Sequence, residues 1–208
     1  MPPATARRRA PLDLRLLDVA EELIATRGLE SLSLRRIARR AGVSHGAPLR
    51  HFPSLAALLS EVAARGFLLL SEAIEKAAAQ LPPGAGPLAR LSAAGRGYVE
   101  LAVAKPGLFA LMFRSDALDR ENPRLIRASA DSFEQLVRLV RAAQDTGWRS
   151  ERDTRLLAGC VWSTVHGLAT LWADGAFCGA TGAPDASLEE ALQITLELVV
   201  GDRHGGKR

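Results

Sequence analysis

Residues 33–54 read Ser-Leu-Arg-Arg-Ile-Ala-Arg-Arg-Ala-Gly-Val-Ser-His-Gly-Ala-Pro-Leu-Arg-His-Phe-Pro-Ser. Ser33 is a good helix N-cap, because its hydroxyl can accept a backbone N–H of the first turn. Leu34, Ile37, Ala38 and Ala41 come after it at helical spacing, and Gly42 ends the run where a sharp turn needs a residue free of a Cβ. Ser44 is a second N-cap, and the pattern predicts another short helix to about His51. Pro53-Ser54 is a turn, with Ser54 placed to cap the next helix. Two short helices about a tight turn make a helix-turn-helix. Ala38 lets the second helix cross closely, and Ile37 and Val43 fill the wedge. Ser44 aims the N-terminus of the second helix outward, toward a phosphate or a base edge. An ordinary αα-hairpin has the same pattern, so charge has to weigh between them.

The chain carries 27 Lys+Arg against 23 Asp+Glu, a net charge of +4. Residues 1–52 hold 10 Arg and 5 acids, a net of +5, and the remainder carries a net of −1. The basic excess therefore coincides with the helix-turn-helix and with Arg7, Arg8 and Arg9 before it, as a DNA-reading element requires. Taken singly, Arg35, Arg36, Arg39 and Arg40 also suit a solvated face.

Outward from this stretch the chain reads all-α. It has 36 Ala and 33 Leu but only 16 Val and Ile together, and the first pair favours helices. Residues 1–10 form a basic arm. Leu12, Leu16, Val19 and Leu23 make one apolar stripe that Gly28 closes, completing a head over residues 11–54. A connecting helix spans 55–80, and Pro82-Pro83-Gly84 breaks the chain before a larger body, 81–208. There helices are expected near 88–104, 107–114, 123–146, 153–174 and 187–200, about nine in all.

Several functions drop out. Two cysteines, Cys160 and Cys178, make neither a disulfide scaffold nor a Cys-based metal site, and no apolar leader comes after the arm, so a cytoplasmic protein is expected. No metalloprotease, nucleophile-elbow or P-loop motif is present, and Gly84-Ala85-Gly86-Pro87 lacks the preceding strand of a dinucleotide site. No catalytic residue, metal or cofactor is expected. Leu156 to Ala173 is 18 residues without a charge, but Ser163, Thr164, His166 and Thr170 make it a buried helix rather than a membrane span. Leu156, Leu157, Val161, Trp162, Val165, Leu168 and Trp172 point around most of that helix, more than one domain core explains. Phe109, Met112, Phe113, Trp162 and His166 are candidates to line a ligand pocket, with packing in the core as the simpler role of each.

The run Gly42 to Ser54, preceded by Ile37-Ala38 and succeeded by Leu58-Leu59, resembles the DNA-binding domain of TetR-type transcriptional regulators. Gly95 to Tyr98, Pro106-Gly107-Leu108-Phe109, Met112-Phe113 and Val165-His166-Gly167 resemble the WHG-type C-terminal domain of that family, with Val in place of the usual Trp. The resemblance implies a ligand-responsive repressor that binds a palindromic double-stranded DNA operator as a homodimer. A small apolar or amphipathic effector would release it, and residues 81–208 would be its regulatory and dimerisation domain. The dimer would pair helices near 153–174 and 187–200, and the helix 55–80 would be the lever between the parts.

DNA contacts are then expected from Ser33, Arg35, Ser44, His45, Gly46, Ala47, Leu49, Arg50 and His51. Gly46 and Ala47 offer no side-chain hydrogen bond, so readout there is by shape or by thymine methyl contact. Leu49 and Leu55 stand where the family usually has a Tyr and a Lys that bond phosphates, which lowers the expected salt dependence. The other reading of the same features is an all-α interaction protein whose arginines only solubilise it.

Overall fold

The computed structural model describes residues 11–201 apart from 115, 184 and 186; the basic arm, 1–10, lies outside the described residues. Nine α-helices and no strand occur among them. In chain order they are α1 (Leu12–Arg27), α2 (Leu34–Ala41), α3 (Leu55–Ala79), α4 (Pro87–Ala104), α5 (Pro106–Met112), α6 (Pro123–Gln144), α7 (Thr154–Ala173), α8 (Ala176–Thr181) and α9 (Leu188–Val200). Leu29–Ser31 and Pro48–Arg50 are short 3-10 turns. Caps chosen by residue chemistry are in place. Ser33, Ser54, Asp153 and Ser187 each accept a first-turn backbone N–H, of Arg36, Ala57, Leu156 and Glu190 respectively.

Two compact units divide the chain. One runs up to Phe67 and includes Lys105–Ser129; the other is Leu68–Ala104 with everything from Ala130. Compactness thus cuts the connecting helix near its middle and gives α5 to the head, a different division from the one by function. In the first unit α1 packs on α2 and on α5 around Leu16, Ile37 and Leu58, all fully buried. Glu61 holds Asn122 at 3.0 Å, and the Ser60 hydroxyl accepts the Asp119 N–H at 2.8 Å, which ties the loop after α5 to α3.

In the second unit α7 packs on α4 and α9. Leu91, Val140, Ala143, Ala158, Val161 and Val199 form its core. Gly97 is where α4 meets α3: a Cβ there would sit 2.6 Å from the Ala73 carbonyl oxygen.

Three expectations change. The short α-helix expected from Ser44 to about His51 does not form; residues 45–51 are hydrogen-bonded turns around the 3-10 turn Pro48–Arg50. Pro48 has no N–H to give Ser44, and Gly46 favours helix weakly, so the segment closes with i to i−3 bonds instead. A short helix, α8, is new, because Gly175 and Gly182 at its ends read as chain breaks. Finally, α7 is not buried on every side within one chain. Ala158, Val161, Val165, Leu168 and Ala169 form one buried stripe, while Leu156 is 70% exposed. On α9, Leu198 is 72% exposed. By length and composition α7 is the one described helix apolar enough to cross a membrane.

Candidate nucleic-acid interface and ligand site

The end of α2 is built by a Schellman turn. Gly42 takes a left-handed conformation at φ +71°, its N–H bonds the Arg39 carbonyl, and the Val43 N–H reaches back to Ala38 at 3.0 Å. Of the two carbonyls beyond these, that of Ala41 accepts from the Arg15 guanidinium at 2.8 Å. A cation on α1 therefore caps the C-terminus of α2 and fixes where the turn leaves it.

From there Ala47 N–H bonds Ser44 O at 3.0 Å, Arg50 N–H bonds Ala47 O at 3.3 Å, and His51 and Phe52 both bond Pro48 O. Ser44 enters through its carbonyl rather than as a hydroxyl cap. Pro48 and Phe52 are buried and anchor the segment. Ser44, His45, Gly46, Leu49, Arg50 and His51 are exposed, and Ala47 is half-buried. Ser33 and Arg35 are exposed at the start of α2. All nine residues expected at DNA thus lie on or beside this one surface turn and the start of α2.

The arginines of α2 sort into two groups. Arg36 donates to the Ser31 carbonyl at 2.6 Å, and Arg40 pairs with Glu22. Arg35, Arg39 and Arg50 are exposed and make no ion pair among the described residues, which leaves three cations for a phosphate backbone. Arg39 is not singled out by the sequence; which member of an arginine run is spent internally depends on partners remote in the chain.

The five residues expected at a ligand fall in different units. Phe109, Met112 and Phe113 belong to the first, with rings of Phe109 and Phe113 centred 5.2 Å apart and Phe67 5.7 Å from Phe113, edge to face. Met112 is buried and lies against Gly66. Trp162 and His166 belong to the second unit, where they meet Tyr98. The Trp162 indole N–H donates to the Tyr98 oxygen at 3.0 Å, and that oxygen lies 2.7 Å from His166 Nδ1. Burial pushes the Tyr98 phenol well above its ordinary range, so it stays protonated. His166 Nε2 faces the Thr170 hydroxyl at 3.4 Å. Burial also lowers the His166 pKa, in keeping with the neutral form. Phe133 stacks edge to face on Trp162 at 6.3 Å. Tyr98, the chain's single tyrosine, is absent from the ligand candidates read from sequence. A lone phenol on an apolar helix needs a polar partner, and that was the available signal.

No group of His, Cys, Asp and Glu suited to a metal occurs among the described residues. The exposed turn and the start of α2 offer hydrogen-bonding groups and cations for recognition.

Comparison with known proteins bears on both parts. Residues 16–62 match the model of bacterial regulatory proteins of the tetR family, and residues 91–195 match that of the tetracyclin repressor-like C-terminal domain. A protein of unknown function from Rhodococcus sp. RHA1 is 33% identical, over 92% of this chain and 94% of that one, with a TM-score of 0.78. The TetR family transcriptional regulator PfmR from Thermus thermophilus is 23% identical, over 93% of this chain and 100% of that one, with a TM-score of 0.65. The fatty acid degradation regulator FadR from Bacillus halodurans is 16% identical, over 94% and 98% of the two chains, with a TM-score of 0.67. At those identities the last two show the fold alone. No curated protein matches the sequence.

Proposed function

The chain belongs to the tetR family of bacterial regulatory proteins and is a non-enzymatic, DNA-binding transcriptional regulator; we propose that it is a repressor that binds a palindromic operator as a homodimer and is released by a small apolar or amphipathic effector. One observation carries the reading: the turn 44–51 is anchored by buried Pro48 and Phe52 while Ser44, His45, Gly46, Leu49, Arg50 and His51 face solvent, with Arg35, Arg39 and Arg50 making no ion pair among the described residues. His45 and Arg50 are the side chains that can hydrogen-bond base edges, Arg50 by the two-pronged contact to guanine. Ser33, Arg35 and Arg39 hold phosphates. A dimer would place two such turns on half-sites about one helical turn apart, and it works in the cytoplasm, where its operator is.

The exposed apolar faces of α7 and α9, with Leu156 and Leu198 outermost, support pairing of two copies there. For the effector, Trp162 and His166 with Tyr98 offer a polar anchor within an apolar unit. Phe109 and Phe113 pack on one another in the head's unit and Met112 is buried against Gly66, so a ligand there is felt only through movement of the head's own core. The helix α3 runs through both units and is the shared element that a ligand can bias. Effector binding then lowers operator affinity by the usual coupling of about 1–3 kcal/mol.

The test is a mobility-shift titration against salt. Arg35 and Arg39 of each protomer make about four phosphate contacts in a dimer, and so a slope of log affinity on log salt of about −4, before anything the arm adds. The usual Lys would raise that to about −5, while the usual Tyr, being uncharged, releases no counterion. A protein that binds bulk DNA as tightly as any selected sequence is not a specific regulator.

A further inference from the structure

Leu49 is unusual within the turn that meets solvent. It is 56% exposed, although it sits between Pro48, which is fully buried, and Phe52, which is 7% exposed. The backbone bonds of this segment run from residue i to i−3, Ala47 to Ser44 and Arg50 to Ala47. Gly46, three residues earlier in the same turn, is exposed, and nothing lies within 4 Å of where its Cβ would be. The turn thus presents bare backbone at Gly46 and a branched apolar side chain at Leu49, neither with a side-chain hydrogen-bond donor or acceptor. Cations flank it: Arg50 is adjacent in sequence, exposed and without an ion pair among the described residues.

An apolar side chain held in water by a rigid anchor gains by meeting another apolar surface. The flanking charge selects a polyanion as the molecule that brings such a surface. In the major groove, base edges present hydrogen-bonding groups and a single apolar group, the 5-methyl of thymine. Resting on the reading of this turn as a DNA-binding element, we infer that Leu49 is a specificity-determining residue that packs on a thymine 5-methyl group in each operator half-site, with Gly46 providing the clearance for the base edge. At the position where the family usually bonds a phosphate, this chain reads a base by apolar contact.

The experiment uses the full chain. Duplexes it prefers are selected from a random-sequence pool, and each thymine of the selected site is replaced in turn by deoxyuridine. That change removes the methyl group and leaves every hydrogen-bonding group in place. At one or more positions in each half-site, the wild-type chain should bind the deoxyuridine duplex about fourfold more weakly, the factor for one buried methyl. Leu49→Met, still apolar, should keep that loss. Leu49→Ala should bind the thymine duplex more weakly and show no further loss with deoxyuridine, while its circular dichroism and melting match the wild type. If no position responds to deoxyuridine, or if Leu49→Ala retains the wild-type loss at the same position, Leu49 does not read a methyl and touches sugar or nothing. If the chain selects no sequence at all, the DNA-reading assignment itself falls.

Discussion

Arg15 on α1 looks in sequence like a charge interrupting an apolar run, yet it holds the end of α2, from which the turn 44–51 departs. Its guanidinium donates to the Ala41 carbonyl at 2.8 Å, the last acceptor of α2 left open by the Schellman turn at Gly42. Replacing it by Ala removes a hydrogen bond from a charged donor, worth about 1.5–3 kcal/mol, and a cation at a helix C-terminus, worth about 0.3–1 kcal/mol. Arg15 is only half-buried, so water takes over part of the bond. The low end applies, about 1.5 kcal/mol, or a little over tenfold in local opening. Native-state hydrogen exchange reads this directly. The Gly42 and Val43 amides, which bond back into α2, should exchange about tenfold faster in Arg15→Ala, with Arg15→Lys between, while amides in α7 keep their rates. Operator affinity should fall with it, since the turn after α2 loses a fixed origin. Unchanged exchange at Gly42 and Val43 would refute the capping argument.

Other consequences can be measured alongside. Gly97→Ala forces a methyl to within 2.6 Å of the Ala73 carbonyl oxygen, and the overpacking cost of about 1–3 kcal/mol outweighs the helix-propensity gain of about 1 kcal/mol. A lower denaturation midpoint with unchanged slope checks it. His166 is held neutral by burial, so its folded pKa lies below its unfolded value of about 6.5. Its contribution is complete above about pH 6.5 and is lost as the pH falls through the folded pKa, because the unfolded chain binds the proton first. The melting temperature of the wild type should therefore drop more between pH 7.5 and 5 than that of His166→Gln. Leu198→Glu places a charge on a residue 72% exposed in one chain, which leaves the monomer folded and buries an unpaired carboxylate in a pair. Sedimentation should show the dimer giving way to monomer.

What could be read from sequence was whatever the chain decides locally. Ser33, Ser54, Asp153 and Ser187 cap helices through bonds three residues away, so residue type and spacing located those starts. Gly42 announced its turn because only a residue without a Cβ sits easily at φ +71°. The segment after it has the pattern of a helix and does not form one. Ser44 looks like a cap, and the missing N–H of Pro48 with Gly46 before it weighs more than the cap signal. The apolar girdle of α7 runs further around the helix than its burial in one chain, where Leu156 and Trp162 stay exposed. Facts that join distant parts of the chain were out of reach. Arg15 meeting Ala41, Arg40 spent on Glu22, and Tyr98 linking Trp162 to His166 depend on how helices stack, which no local pattern encodes. The same holds for the grouping of Phe109, Met112 and Phe113 with the head.

The central claim is that the exposed turn from Ser44 to His51 reads a particular DNA sequence. It is tested most directly by titrating the full chain, with His45→Ala and Arg50→Ala beside it, against a selected operator and against bulk DNA at one fixed salt concentration. The account predicts that the wild type prefers the operator by about 10³-fold or more, and that each substitution costs about 1–3 kcal/mol of that preference while the circular dichroism stays unchanged. Equal affinity for operator and bulk DNA, or full preference retained by both variants, would contradict it.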